Sequence, residues 1–195
     1  MVDPFFTSRP AQPGDTCILA VPDDGTEIDQ LRIKQRAFQE IYGGQITDPV
    51  HLTCQRFGYY PLQTIQQLRE SLGHLAQHVS PFSITALDVK PIYSNFRDSC
   101  ILKWEVEINS ELTQFSNAIT ETLHFCDITP HFLPGSISSL ITCLENIDPP
   151  QSGQSPSEDR LPQHLFTARK ILISRIEAPF QYSILESIRI TGNHD

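Results

Sequence analysis

Along this chain, apolar residues recur by turns at strand spacing and at helical spacing, and the alternation lays out most of the elements. The run "CILAVP" (17–22) is a short strand stopped by proline. "TEIDQLRIKQRAFQEIYGG" (26–44) follows as a helix, with Ile28, Leu31, Phe38 and Ile41 near one face and Gly43-Gly44 as its stop. "DPVHLTCQRF" (48–57) is again strand-like. In "LQTIQQLRESLGHLAQHV" (62–79), Ile65, Leu68, Leu72, Leu75 and Val79 fall at helical steps of three and four, the clearest helix in the chain. "FSITALDV" (82–89) and "CILKWEVEI" (100–108) read as strands joined by a hairpin through "KPIYSNFRDS". A third helix fits "SELTQFSNAITETLHF" (110–125), with Leu112, Phe115, Ile119 and Leu123 on one side.

"DITPHFLP" then reads as a short strand broken by proline, and a fourth helix fits "SISSLITCLENI" (136–147). Residues 148–163, polar and rich in proline, read as a mobile loop without fixed secondary structure. "KILISRIEA" and "YSILESIRI" close the chain as antiparallel strands. The pattern predicts an α/β (α+β) fold with mainly antiparallel sheet. It forms one domain over 16–190, between tails at 1–15 and 191–195.

Composition narrows the function classes. With 39% apolar and 19% charged residues the usage is that of a globular protein, and the 15 prolines imply many turns. A formal charge of −9 excludes a protein that sheathes long nucleic acid, because phosphate neutralisation needs clustered Lys and Arg. A small anion in a local positive pocket stays compatible with it. The five cysteines (17, 54, 100, 126, 143) form no C-x-x-C pair, so neither a disulfide framework nor a zinc knuckle is expected. The N-terminal stretch has prolines and acids where a signal peptide needs a basic and then an apolar region, and no run is long enough to span a membrane. The expectation is a cytoplasmic, monomeric protein with no membrane partner and no bound metal or cofactor. No P-loop or dinucleotide glycine fingerprint occurs, and His74, His124, His164 and His194 have no metal-ligand spacing.

Two of the seven histidines stand two residues before a hydroxyl, His51 before Thr53 and His78 before Ser80. The second pair sits at a helix C-terminus, where a histidine is favourable against the dipole and serine starts a turn. The first lies in a strand, whose two-residue period aims His51 and Thr53 at one face and Leu52 at the other. A cysteine hydrolase on Cys54 or Cys126 is a further alternative, although alternation points Cys54 away from the His51 face. Tyr93, Phe96 and Arg97 form either an ordinary hairpin tip or a surface that stacks on a base and meets its phosphate.

A second proline-preceded histidine, His131 in "ITPHFLP", comes 80 positions after His51. The order strand, helix, "DPVHLT", helix, hairpin, helix, "ITPHF", helix, two closing strands resembles the 2H phosphoesterase superfamily, which includes 2′-5′ RNA ligases and 2′,3′-cyclic phosphodiesterases. That resemblance covers about residues 16–190. It implies two pseudo-symmetric lobes with outer helices and a central cleft, each lobe carrying an H-x-[ST] motif on a central strand. It also implies a metal-independent reaction on a 2′,3′-cyclic phosphate or 2′-5′ phosphodiester of a nucleotide or RNA end. Carried over, His51 and His131 are the expected acid and base and Thr53 the expected phosphate-binding hydroxyl; Leu133 stands where the second motif has Thr or Ser. Two imidazoles near pKa 6.5 hold complementary protonation states near neutral pH. Two alternatives stay open: a 2H fold that binds a nucleotide or RNA terminus with weakened catalysis, and an α/β scaffold for protein contacts.

Overall fold

The computed structural model describes residues 9–95, 98–133, 136–148, 161–179 and 181–192. Strand β1 (Thr16–Val21) is buried at all six positions, as a strand covered on both faces must be. It leads into α1 (Gly25–Tyr42), whose N-terminus is capped by the Asp24 carboxylate accepting from Thr26 N at 2.7 Å. The helix ends at Gly43 (φ 64°) and Gly44 (φ 81°), and a Cβ on Gly44 would lie 2.5 Å from the Glu145 carbonyl oxygen, so that turn requires glycine. Next come β2 (Gln45–Ile46), β3 (Leu52–Phe57), α2 (Leu62–His78), β4 (Phe82–Ser94), β5 (Ser99–Val106) and α3 (Ser110–Phe125). The chain closes with β6 (Leu140–Ile147), β7 (Gln163–Ala168), β8 (Lys170–Ala178) and β9 (Gln181–Arg189).

The strands form two antiparallel sheets, ordered β3-β1-β8-β9 and β2-β6-β5-β4-β7. This is the antiparallel α/β architecture that the sequence pattern predicts. Two segments differ: residues 127–133, expected within a short strand, form none, Pro130 making an isolated bridge to Phe57, and residues 140–147 are strand β6 and not part of a fourth helix. Ile137, Leu140, Ile141 and Leu144 match a helical face, but seven of the eight β6 positions are buried, and a strand covered on both faces loses its alternation. Of the loop expected at 148–163, residues 149–160 lie outside the described residues; Gln163 already begins β7, which pairs with β4. Phe96 and Arg97 also lie outside the described residues.

The helices tie the sheets together crosswise. α1 leaves the first sheet but packs on β6 and β7 of the second, while α3 leaves the second and packs on β3 of the first. Phe38 of α1 meets Trp104 of β5 edge-on at 6.4 Å, and Phe115 of α3 meets Phe82 of β4 at 4.8 Å. One continuous apolar core therefore runs through both sheets, from Ile18 and Leu52 to Trp104 and Ile141. Residues 9–15 lie against the end of the first sheet, where Gly14 N donates to Ile176 O at 2.7 Å and Asp15 is buried between Arg9 and Arg56.

The sheets repeat one arrangement: β3-β1-β8-β9 corresponds to β6-β5-β4-β7, with β2 added beside β6. Around one bulge the correspondence holds residue by residue. In the first sheet Leu19 pairs with Thr53 and Ile18 with Gln55, leaving Cys54 as the extra residue of a bulge. In the second, Lys103 pairs with Thr142 and Leu102 with Leu144, leaving Cys143 as the extra residue. Thr53 thus corresponds to Thr142, Leu52 to Ile141, and His51 to Leu140.

Candidate active site

His51 stands one residue before β3, so it shares a face with Thr53, as the strand period requires. Leu52 and Cys54 point the other way, into the main core. On the His51 face lie Cys17, Leu19 and Val21 of β1 with Leu172 and Ile176 of β8, a small apolar floor against which Tyr182 packs. The His51 ring meets Tyr182 edge-on, with centroids 5.8 Å apart. His51 Nδ1 lies 2.8 Å from the Pro49 carbonyl oxygen, which can only accept. Nδ1 therefore carries the proton, and in the neutral ring Nε2 is the basic nitrogen.

The approach to His51 is fixed from α1. Gln35 is 1% exposed, and its Nε2 donates to Thr47 O and to Cys143 O, each at 2.9 Å. One amide thus holds the link that leads into β3 and the bulge carbonyl of β6 together. Thr47 N also lies 3.4 Å from Cys143 O, and β3 and β6 come within 8 Å of one another at Cα. The two corresponding strands therefore meet at the seam of the sheets, with Leu140 and Thr142 as the second-sheet partners of His51 and Thr53. Beside Thr142 the pairing puts Lys103, and beside Leu140 it puts Glu105. Lys90 is paired in register with Lys103 and ion-paired to Glu105 and Asp88, and its hydrogen bond to Glu105 raises its pKa.

Level with His51, the first sheet carries a row of charge. Val21 pairs with Lys170 and Lys170 with Arg189; both cations are held by Asp23, whose carboxyl they keep below its ordinary range. Asp23, Asp24, Arg169, Arg189 and Ile190 line a concavity of about 340 Å³ at this end of the sheet. A larger open groove of about 460 Å³ lies elsewhere, between α2 and α3, and includes neither His51 nor Thr53.

His131 is not placed across from His51. Its N–H donates to Arg56 O at 2.6 Å, next to a bridge between Phe57 and Pro130. It therefore sits at the far end of β3, five residues from His51, or roughly 16 Å along a strand, and strand side chains stand perpendicular to the chain. Burial, then Arg9 and Arg56, hold the His131 imidazole below its ordinary pKa against the opposing charge of Asp15. Its Nδ1 is buried with no hydrogen-bond partner. Leu133, the expected counterpart of Thr53, is 48% exposed. The cysteine alternative fails on geometry and charge: Cys54 is buried in the core, and burial pushes its thiol up to about 12. Cys126 is buried too, with Sγ 3.6 Å from Ser71 Oγ.

Among the described residues no group of three or more His, Cys, Asp or Glu is arranged to hold a metal, and no helix is long and apolar enough to cross a membrane. No protein-family model and no curated protein matches the chain. Solved structures do. A phosphoesterase matches with a TM-score of 0.63 at 16% identity, over 92% of this chain and 99% of its own. E. coli LigT complexed with 3′-AMP matches with a TM-score of 0.61 at 17% identity, over 92% and 99%. TT0787 of Thermus thermophilus matches with a TM-score of 0.60 at 16% identity, over 92% and 100%. E. coli LigT has also been solved with NADP+, with phosphate and with ATP. At these identities the likeness establishes the fold, along nearly the whole chain.

Proposed function

With the 2H phosphoesterase fold as the premise, we propose that the His51–Thr53 face takes the phosphate of a nucleotide or RNA end, such as a 2′,3′-cyclic phosphate or a 2′-5′ phosphodiester. We propose further that turnover there is slow. The observation that carries this reading is the repeated bulge, which sets His51 and Thr53 of β3 against Leu140 and Thr142 of β6. Opening a cyclic phosphate needs one group to take a proton from the attacking water and another to give one to the departing ribose oxygen. His51 Nε2 suits the first role, and the Thr53 hydroxyl suits donation to a phosphate oxygen as charge develops. The place of the second imidazole is held by an alkyl side chain. Loss of one general acid costs about 10²- to 10⁴-fold in rate, which leaves a binding site with residual hydrolysis. The 3′-AMP and phosphate held by E. coli LigT supply the first ligands to try.

Calorimetric titration with 3′-AMP tests the binding. Wild type is expected to bind saturably, His51→Ala and Thr53→Val roughly ten- to a hundredfold more weakly, as the loss of a hydrogen bond to a charged group implies. Equal affinity in all three would remove the site. A second reading, full acid–base catalysis by His51 with His131, is favoured by burial holding the His131 pKa below its ordinary value and by its unpartnered Nδ1. It requires that His131→Ala abolish release of phosphomonoester from 2′,3′-cyclic AMP; slow turnover left unchanged by that substitution removes it.

A further inference from the structure

Residues 9–15 run as a strap along the end of the first sheet, and the bonds that hold them fall into two groups. Downstream, Gly14 N donates to Ile176 O at 2.7 Å and Ile176 N to Asp15 O at 2.8 Å, so Gly14 and Asp15 extend the β8 ladder. Upstream, the bonds converge on Asp15 and Arg56. Arg9 Nη1 donates to Asp15 Oδ2 at 3.0 Å and Gln12 N to the same oxygen at 3.1 Å, Asp15 N donates to Gln12 O at 3.2 Å, and Arg9 O accepts from Arg56 Nη2. Gly14 stands between the two groups at φ 91°, with open space where a Cβ would be, which suits it to act as a pivot. The upstream half also covers something. Ala11 packs on the apolar floor that Cys17, Leu19, Val21, Leu172 and Ile176 form on the His51 face.

This clasp is short of negative charge. The charged groups that act on the His131 ring are Arg9 and Asp15 from the strap and Arg56 from β3, and of these only Asp15 is negative. His131 joins them from the segment after α3, with its N–H on Arg56 O and its buried Nδ1 without a hydrogen-bond partner. A neutral ring leaves the balance as it is. A protonated one makes a third cation against one carboxylate and turns the buried Nδ1 into an N–H that needs an acceptor. Arg9 is the partner of Asp15 most easily given up, because its side chain is 32% exposed while that of Arg56 is 9% exposed.

We infer that residues 9–12 are an acid-released strap: protonation of His131 displaces Arg9 from Asp15, and the strap swings about Gly14 to bare the end of the floor on the His51 face. The sign follows from linkage. Burial, then Arg9 and Arg56, keep the ring below its ordinary pKa while the strap is closed, and release removes Arg9 and admits water. The open form therefore binds the proton more readily, so closure is complete above about pH 6.5 and is lost as pH falls through the lowered value. The switch needs no ligand and stands apart from the phosphate site.

Amide hydrogen exchange followed by NMR, each rate divided by the intrinsic rate at that pH, tests it. Between about pH 7.5 and 5, protection of the Gln12 amide in wild type is expected to fall roughly threefold or more, while the Ile176 amide on the far side of the pivot keeps its own. His131→Gln should hold Gln12 protection level across the range, and Arg9→Gln should leave it low at every pH. Gln12 protection that does not fall in wild type, that falls equally in His131→Gln, or that stays full in Arg9→Gln overturns the inference. So does an equal fall at Ile176, which marks opening of the sheet and not release of the strap. Should His131→Gln not fold, wild type decides alone: loss of Gln12 protection must track the titration of the His131 Cε1–H resonance, and a midpoint elsewhere overturns the inference.

Discussion

Replacing Gln35 by leucine tests how the seam between the sheets is held. The glutamine is 1% exposed, and its Nε2 spans two carbonyls at 2.9 Å, Thr47 O ahead of β3 and Cys143 O at the β6 bulge. Leucine has nearly the same volume, so the change removes hydrogen bonds without opening a large cavity. Each buried carbonyl left without its partner costs about 1–3 kcal/mol, although Cys143 O keeps Thr47 N at 3.4 Å and so loses less. Against this, Gln35 Oε1 is itself buried with no partner, and its removal returns about 1 kcal/mol. The net expectation is a loss of about 1–3 kcal/mol, a large part of a stability typically 5–15 kcal/mol. In urea, with a slope of about 1–3 kcal/mol/M, the midpoint should fall by roughly 1 M at unchanged slope. Gln66→Leu, on the exposed face of α2, serves as control and should stay within about 0.5 kcal/mol of wild type. A Gln35→Leu midpoint equal to that of the control would refute the tether.

Acid should weaken the fold through His131. Its folded-state pKa lies below the ordinary 6.5, so between that lowered value and 6.5 the unfolded chain binds more protons. The contribution is complete above about pH 6.5 and is lost as pH falls through the window, so the urea midpoint should drop more between about pH 7 and 5 in wild type than in His131→Gln. Equal drops would contradict the shift. Cys17 and Cys54, both pushed by burial to about 12, and Cys143, raised well above 9.0, should resist thiol reagents until the protein unfolds, while half-buried Cys100 reacts first; labelling followed by mass spectrometry checks the order. Because α1 and α3 each cover the opposite sheet, unfolding should be one transition, with near- and far-ultraviolet dichroism coinciding. Separate transitions for the two sheets would contradict the crosswise packing.

The elements with one buried face were legible in the sequence. α2 shows Ile65, Leu68 and Leu72 at helical steps and buries those residues. His51 and Thr53 were legible for a related reason, since a strand's period alone decides that they share a face. β6 was not, because burial on both sides erases the alternation that marks a strand, and what remains of its pattern imitates a helix. That imitation hides the repeat of β3 in β6. With 140–147 taken for a helix, the proline-preceded His131 is the natural counterpart of His51, whereas backbone pairing puts Leu140 there. A signal was present: His51-Leu52-Thr53-Cys54 and Leu140-Ile141-Thr142-Cys143 share an apolar residue followed by Thr-Cys. It becomes meaningful only once pairing shows that both cysteines are the extra residue of a bulge.

The proposed site puts phosphate at the seam beside His51 and not at the far end of β3 beside His131. Histidine ring Cε1–H resonances, assigned by single substitutions and followed during titration with 3′-AMP, address it directly. Binding there predicts a saturable shift of the His51 signal, shared by no other ring to the same extent and weakened in Thr53→Val. A His51 signal that stays fixed while that of His131 moves would contradict it.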